Sequence, residues 1–341
     1  MIYPILKYLD TKCPLCGNSK AQIKQIFKSE DIAKHLNINK NNNKYNLITM
    51  QVENLWNAKI CYFVHCINCT FDYAMPNIPG DSKFYNIIYD NSINYSSWKW
   101  EFEISYKIIE ENILRNKNNN FKLLEIGAGN GNFLKKIATN LIPKENILAT
   151  EFSSFGKNEI INFGIQCLSL DINNLNLDQY KNFFDFVCMF QILEHISNIS
   201  DFFNHLTLIT NNHANLLISV PNEKYRYHFN NLGLEEDVPP IHINRWNKNC
   251  FSLLAKSHGW VVINHIVEPS NYLQTIIKLI FYKNNISLYL NLAHTIKIKF
   301  LRKIVLSIII IPLIFLNLKI IIKLNKKNFG ISQFVHLKKI R

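Results

Sequence analysis

Three of the chain's 10 glycines stand within five residues, in Glu125-Ile126-Gly127-Ala128-Gly129-Asn130-Gly131. The run follows an apolar stretch, LLEI, and opens residues 131–140, whose apolar side chains recur at helical spacing. A strand that turns through glycines straight into a helix brings bare backbone close to a ligand, and the helix's first N–H groups point at it. Such a loop is weak evidence alone, and two acids give it meaning. Glu151 ends a second apolar run, ENILATEF, 20 residues after Gly131, where a carboxylate can accept both hydroxyls of a ribose. Asp171 ends a third run, IQCLSL, an element that most NAD-binding chains lack.

Further apolar runs, FDFVCMF, ANLLISVP and WVVINHIV, alternate with helical stretches such as 199–210. Strands and helices in alternation predict a doubly wound parallel sheet, so residues 91–268 are expected to form an α/β, Rossmann-like core. An amphipathic helix is expected at 95–115, before its first strand. The net charge of +13 invites a nucleic-acid reading until its location is considered. Residues 1–90 hold 10 basic side chains against 7 acids, 91–120 hold 4 of each, and 121–268 hold 11 against 14. The last 73 residues hold 13 basic side chains and no acid. The excess therefore belongs to a C-terminal extension, 269–341, and a distributed nucleic-acid cradle is not expected.

Cysteines form two tight pairs, Cys13-Pro-Leu-Cys16 and Cys66-Ile-Asn-Cys69. Each C-x2-C knuckle can turn two thiolates toward one point, and four thiolates close a tetrahedral structural Zn2+ site with no open position. Residues 1–90 are thus expected to be a zinc-ribbon module. An Asn-rich loop over 37–46, alternating apolar residues in ITMQVENLW and a strand, ICYFVHC, lie between the knuckles. Cys61, Cys167, Cys188 and Cys250 are isolated, and packing is their ordinary role. The chain opens without an export signal, so a cytoplasmic location is expected, with thiols kept reduced or metal-bound.

From the glycine loop onward the sequence resembles the class I S-adenosylmethionine-dependent methyltransferases. LLEIGAGNGNF is similar to that family's E/D-x-G-x-G-x-G loop, and FDFVCMFQILEHI to the fourth strand and L-E-H turn of the subgroup with ubiquinone-biosynthesis and sugar methyltransferases. LLISVPN resembles the fifth strand, and PPIHINRWNKNCFSLLAKSHGW the segment leading to strand six. The resemblance implies a seven-stranded Rossmann-like methyltransferase sheet and S-adenosyl-L-methionine as cofactor. It implies that Glu125, Gly127, Gly129 and Gly131 surround the methionine part, that Glu151 binds ribose, that Asp171 and Ile172 meet adenine, and that Phe190 at the end of the fourth strand also binds the cofactor. A C-P-x-C-G knuckle fused to such a domain resembles sugar C-methyltransferases and their surface-polysaccharide relatives, from which Thr70, in place of a knuckle glycine, is a departure.

Transfer of a methyl group from a sulfonium needs an oriented acceptor and, for a hydroxyl, somewhere for its proton to go. His195 follows the fourth strand and His242 lies in the loop after the fifth, both at the carboxyl edge where such sheets open. His242 is the first candidate for the base and His195 the second; hydrogen bonding within a loop would explain either equally well. Glu194 could orient His195 or bind a metal, but one carboxylate is not a metal site, and a capping or solvated acid is its ordinary reading. Tyr225, Arg226, Tyr227 and His228 could contact an acceptor or form an ordinary lid.

Residues 304–318 carry no charge, and a helix of that length is short of the roughly 30 Å hydrocarbon core. Basic residues flank it on both sides, and the fold requires a seventh strand afterwards, for which ISQFVHLK is the candidate. An apolar, basic helical insertion touching one membrane face through 296–327 is expected, with a buried or dimer-forming helix as the alternative. The expected function is methyl transfer to a hydroxyl of a small or carbohydrate-type acceptor, for which a lipid-linked form would suit the extension. An RNA methyltransferase and a non-catalytic membrane scaffold are the rivals.

Overall fold

The computed structural model describes residues 8–36, 38, 43–88, 98–117, 120–225, 237–269, 315 and 330–340. Two compact units emerge: Met1–Pro221 with Val238–Ile266 and Gln333–Arg341, and Asn222–Asp237 with Val267–Ser332.

The first unit opens with an antiparallel sheet. Tyr8–Asp10 (β1), Lys20–Lys28 (β2), Ile60–Cys66 (β3) and Asp72–Met75 (β4) pair in that order. The first knuckle joins β1 to β2 and the second joins β3 to β4, so strand pairing delivers all four cysteines to one end. Helices Ser29–His35 (α1), Asn43–Trp56 (α2) and Ser82–Ile88 (α3) cover one face. The alternation in ITMQVENLW is overturned here, because that segment is the end of α2. Tyr45, Ile48, Val52 and Trp56 are buried at spacings of three and four, whereas Met50, which a strand would have buried with Ile48, is exposed.

The doubly wound sheet comprises Leu123–Ile126 (β5), Ile147–Thr150 (β6), Gln166–Leu168 (β7), Phe184–Phe190 (β8) and Thr210–Pro221 (β9). Helices Trp100–Asn116 (α4), Asn132–Asn140 (α5), Ser154–Asn162 (α6), Leu177–Tyr180 (α7) and Ile199–Ile209 (α8) accompany them. After β9 come a two-residue strand, Asn244–Arg245 (β10), the helix Lys248–Ser257 (α9), and strands Trp260–Val267 (β11) and Ser332–Lys339 (β12). The seven-stranded order is β11-β12-β9-β8-β5-β6-β7, with β5 through β9 parallel to one another. Between β11 and β12, the Glu268 N–H donates to Ser332 and the Ile340 N–H to Gly259, so these two strands run antiparallel and the sheet is mixed. The strand expected from ISQFVHLK is therefore present, inserted between β11 and β9.

Parallel strands buried on both faces call for nearly continuous apolar residues, which β5 and β8 supply apart from Glu125 and Asp185. Leu123, Phe186 and Cys188 pack with Phe102, Phe133 and Ile137 of α4 and α5. Leu124, Val187 and Met189 face the other way, onto Phe202 and Leu206 of α8 and Leu254 of α9. That second cluster also contains Cys13, Cys66, Phe71 and Tyr73 from the N-terminal sheet, which makes the cysteine end part of the core.

A short segment from the far side of the chain completes the N-terminal sheet. Strand β10 adds to β4, with Asn244 opposite Tyr73 and Arg245 opposite Asp72. Trp246 stacks on Phe251 and sets its edge against Phe71, with centroids 5.2 and 4.8 Å apart. Full burial of a side chain this large is worth roughly 2–3 kcal/mol.

The second unit's described residues include Glu268 and Gly330, which lie on either side of 270–329 in the sequence. Gly330 lies so close to Glu268 that a Cβ there would come within 2.0 Å of the Glu268 carbonyl oxygen. Residues 226–236, holding Arg226, Tyr227 and His228, and the apolar run 304–322 apart from Phe315, lie outside the described residues. No helix among the described residues is long and apolar enough to cross a membrane.

Candidate functional site

Strands β5, β6 and β8 end side by side, and the loops leaving them build the site. Gly127, Gly129 and Gly131 all have positive φ, between +57° and +74°, in the left-handed region that glycine adopts at least cost. Space excludes side chains as well. A Cβ on Gly127 would meet Ile192 Cδ1 at 2.2 Å, and one on Gly131 would meet Ile160 Cγ1 at 2.6 Å. Gly156, in the first turn of α6, was not anticipated; its Cβ would meet the Gly129 carbonyl oxygen at 2.3 Å. The clue lay in its neighbour Ser153, which caps α6 by accepting from the Gly156 N–H.

Glu151 organises this corner. Its Oε2 accepts from the Gly129 N–H and its Oε1 from the Ser153 N–H, each at 2.7 Å. Burial pushes its carboxyl up from the ordinary range, and these N–H bonds act in the opposite sense. Asp171 caps the short helical turn 172–174 by accepting from the Asn173 N–H at 2.8 Å, and Ile172 is buried beneath it. The Phe190 ring packs against Phe102 and Phe133, with centroids 5.0 and 5.1 Å apart, in the cluster that also holds Ala128 of the glycine loop.

Glu125 is buried on β5, and burial, with Glu151 nearby, drives its carboxyl well above the usual carboxylate range while Lys99 opposes the shift. Its Oε2 has no hydrogen-bond partner among the described residues. A buried carboxyl oxygen with nothing to bond costs free energy that a ligand's cationic group would recover. Together with the three left-handed glycines and the Glu151 carboxylate, it forms a donor and acceptor set that fits S-adenosylmethionine.

The L-E-H turn follows β8. Gln191 takes φ +60°, a left-handed conformation that costs a non-glycine residue energy and that clusters at functional sites. His195 and His242, far apart in sequence, meet here with ring centroids 4.8 Å apart at 68°. Glu194 is fully buried, so the solvated role expected of it is overturned. Its Oε1 lies 3.8 Å from His242 Nε2.

Four hydrogen bonds strap residues 241–246 onto this turn. Ile241 O is 2.6 Å from His195 Nδ1, the Ile243 N–H donates to Glu194 O, Asn244 Nδ2 donates to Ile196 O, and Trp246 Nε1 donates to Leu193 O. The opposite side of the same segment bonds to the N-terminal sheet, where the Ala74 N–H donates to Ile243 O and Asn77 Nδ2 to Asn244 Oδ1. His242 is therefore held between the cysteine module and the L-E-H turn, an arrangement that no local motif could reveal.

At the cysteine end, Cys13 Sγ is 3.7 Å from Cys69 Sγ and Cys16 Sγ is 3.5 Å from Cys66 Sγ. Tetrahedral thiolates about 2.3 Å from Zn2+ would stand roughly 3.8 Å apart, so the four sulfurs fit the ion. Asn68 and Asn18 direct side-chain N–H groups at Cys16 and Cys66. Thr70 takes the left-handed conformation, φ +63°, that Gly17 has at +73° in the first knuckle. Asn247 Nδ2 holds it there through Thr70 O and Oγ1, at 3.1 and 3.3 Å, while the Asn247 side-chain oxygen caps α9. The isolated cysteines are packed as expected; burial raises the Cys61 thiol to about 12.

Residues 102–265 match the family model of a methyltransferase domain. No curated protein matches the sequence. Among solved structures, the chain is similar to magnesium protoporphyrin IX methyltransferase from Synechocystis, with 10% identity, a TM-score of 0.43, and coverage of 74% of this chain and 90% of that one. It is also similar to a SAM-dependent methyltransferase from Archaeoglobus fulgidus, with 14% identity, a TM-score of 0.41, and coverage of 71% and 100%.

Proposed function

We propose that this chain, whose residues 102–265 carry a methyltransferase domain, transfers a methyl group from S-adenosylmethionine to a hydroxyl of a small or carbohydrate-type acceptor. The observation that carries the reading is the meeting of His195, His242 and Glu194 beside the loop that follows β5. Ile192 touches Gly127, so the L-E-H turn and the glycine loop abut at the carboxyl edge of neighbouring strands. The cofactor supplies an activated methyl group. In this reading the chain's own residues hold it, with Glu125 toward its cationic part, Glu151 on ribose, and Asp171 and the Ile172 backbone at adenine. An acceptor hydroxyl would lose its proton at His242, with His195 behind it.

Cys13, Cys16, Cys66 and Cys69 are assigned a structural Zn2+, whose role is to brace the strap that carries His242. The mildly acidic core and near-neutral N-terminal region favour a small acceptor over RNA. The 13 basic residues and the apolar run of the extension suit a lipid-linked acceptor at the inner face of a membrane.

Incubation of the protein with methyl-labelled cofactor and fractionated cell extract tests this. Label is expected in the nucleotide-sugar or lipid-linked pool, and its appearance in RNA would overturn the acceptor assignment. Glu151→Ala is expected to weaken cofactor binding by about 1.5–3 kcal/mol, the worth of a charged hydrogen-bonding partner. Unchanged affinity by calorimetry would remove Glu151 from the site.

A further inference from the structure

Helix α4 buries polar side chains where a helix covering a parallel sheet should bury apolar ones. Phe102 and Ile109 join the apolar cluster over β8. Glu101 and Ser105, one turn apart and so on one side of the helix, are buried as well, at 4% and 0% exposure. An acid in the first turn suits the helix dipole, but Glu103 already supplies one, partly in solvent and paired with Lys107. Burying a carboxylate and a hydroxyl in an apolar layer costs free energy unless each has a group to bond.

The strand ends beneath α4 extend the polar cluster. Ser219, fully buried near the end of β9, stands opposite Phe190 in the parallel register. Its Oγ accepts from Gln191 Nε2 at 3.3 Å and donates to Glu101 Oε1, also at 3.3 Å. An amide nitrogen only donates and a carboxylate only accepts, so the direction of this chain is fixed, and both bonds are long. Ser105 Oγ has no hydrogen-bond partner among the described residues.

We propose that Glu101, Ser105, Gln191 and Ser219 form the acceptor subsite of the methyl-transfer reading, on which this inference rests, and that they bind neighbouring hydroxyls of a polyhydroxylated acceptor. Gln191 leads from β8 into the turn that carries His195, and Phe102, beside Glu101, shares a cluster with Ala128 of the glycine loop. Strand β9 is two strands from β5, roughly 10 Å, a separation that a small acceptor spans. The mixture of groups selects the ligand. A cationic amine would be met by acceptors alone, whereas a hydroxyl both donates and accepts, as a carboxylate beside hydroxyls and an amide requires. One acceptor hydroxyl donating to Glu101 and a second meeting Ser105 Oγ would hold a third in place to lose its proton at His242.

Nucleotide-sugar and lipid-linked fractions of cell extract are divided, and one half is treated with periodate, which cleaves the bond between carbons bearing adjacent hydroxyls. After desalting, full-length protein and methyl-labelled cofactor are added to both halves. Label uptake is expected in the untreated half and is expected to be lost after periodate. On untreated fractions, Glu101→Gln and Ser105→Ala should each require about tenfold more material for half-maximal transfer, with cofactor Kd and Tm unchanged. Ser105→Ala is the sharper arm, because a hydroxyl that bonds nothing in the fold can be removed without lowering Tm. Uptake that survives periodate, or variants that both match the parent on diluted fractions, would overturn the subsite while methyl transfer stands. Loss of Tm or of cofactor affinity in step with transfer in both variants would also overturn it, marking a structural network. No label in any fraction, treated or untreated, would remove the methyl-transfer reading and the subsite with it.

Discussion

Cys66→Ser is expected to abolish methyl transfer while leaving S-adenosylmethionine binding within a few-fold of the parent. Cys66 is fully buried at the end of β3, and its loss opens the four-sulfur cluster. Because a structural Zn2+ contributes of order 10 kcal/mol to the fold of a small module, the N-terminal sheet should lose its ordered packing. Strand β4 would then release β10, and with it the strap that carries His242. The glycine loop and Glu151 bond among themselves and to α6, and none of these bonds reaches the cysteine end. Calorimetry and a turnover assay on the same sample make the comparison. Full turnover in Cys66→Ser would show that the module does not brace the site, and loss of cofactor binding as well would show that it supports the whole core.

His242→Ala is expected to lower kcat by about 10²–10⁴, the usual contribution of a group that handles the proton in the transition state. Cofactor affinity should stay unchanged, because His242 meets Glu194 and His195 rather than Glu151 and the glycines. A fall in kcat with unaltered cofactor Kd separates this residue from those that only hold the ligand. Equal turnover in variant and parent would remove the proton-handling role from His242.

The parts legible in the sequence were those written locally. The glycine loop, the strands ICYFVHC, FDFVCMF and WVVINHIV, and the paired cysteines each carry their signal within a few residues, because strand burial and knuckle geometry are short-range. The helix α2 was misread because Ile48, Met50 and Val52 happen to alternate while the true stripe runs through Tyr45, Ile48, Val52 and Trp56. Thr70 is the reverse case. Alone it reads as a flaw in the knuckle, and only Asn247, 177 residues away, explains how a β-branched residue is kept in a left-handed turn. Glu194 looked like a solvated acid because nothing near it in sequence announces that residues 241–246 will cover it. Contacts of such separation have no local period or spacing to read.

The meeting of Glu268 and Gly330 makes the long extension, topologically, the connection of a hairpin. Strands β11 and β12 are neighbours, and the chain leaves and re-enters the sheet at one point, the Glu268 N–H donating to Ser332 across it. Residues 270–329 therefore connect two strand ends that a short turn could also join. Replacing them with a short polar turn should leave cooperative unfolding and S-adenosylmethionine binding close to those of the parent, since closing a shorter loop is no harder than closing a long one. Loss of cooperative unfolding on excision would mean that the sheet depends on those residues. Retention would mean that the mixed sheet and its glycine loop form without residues 270–329.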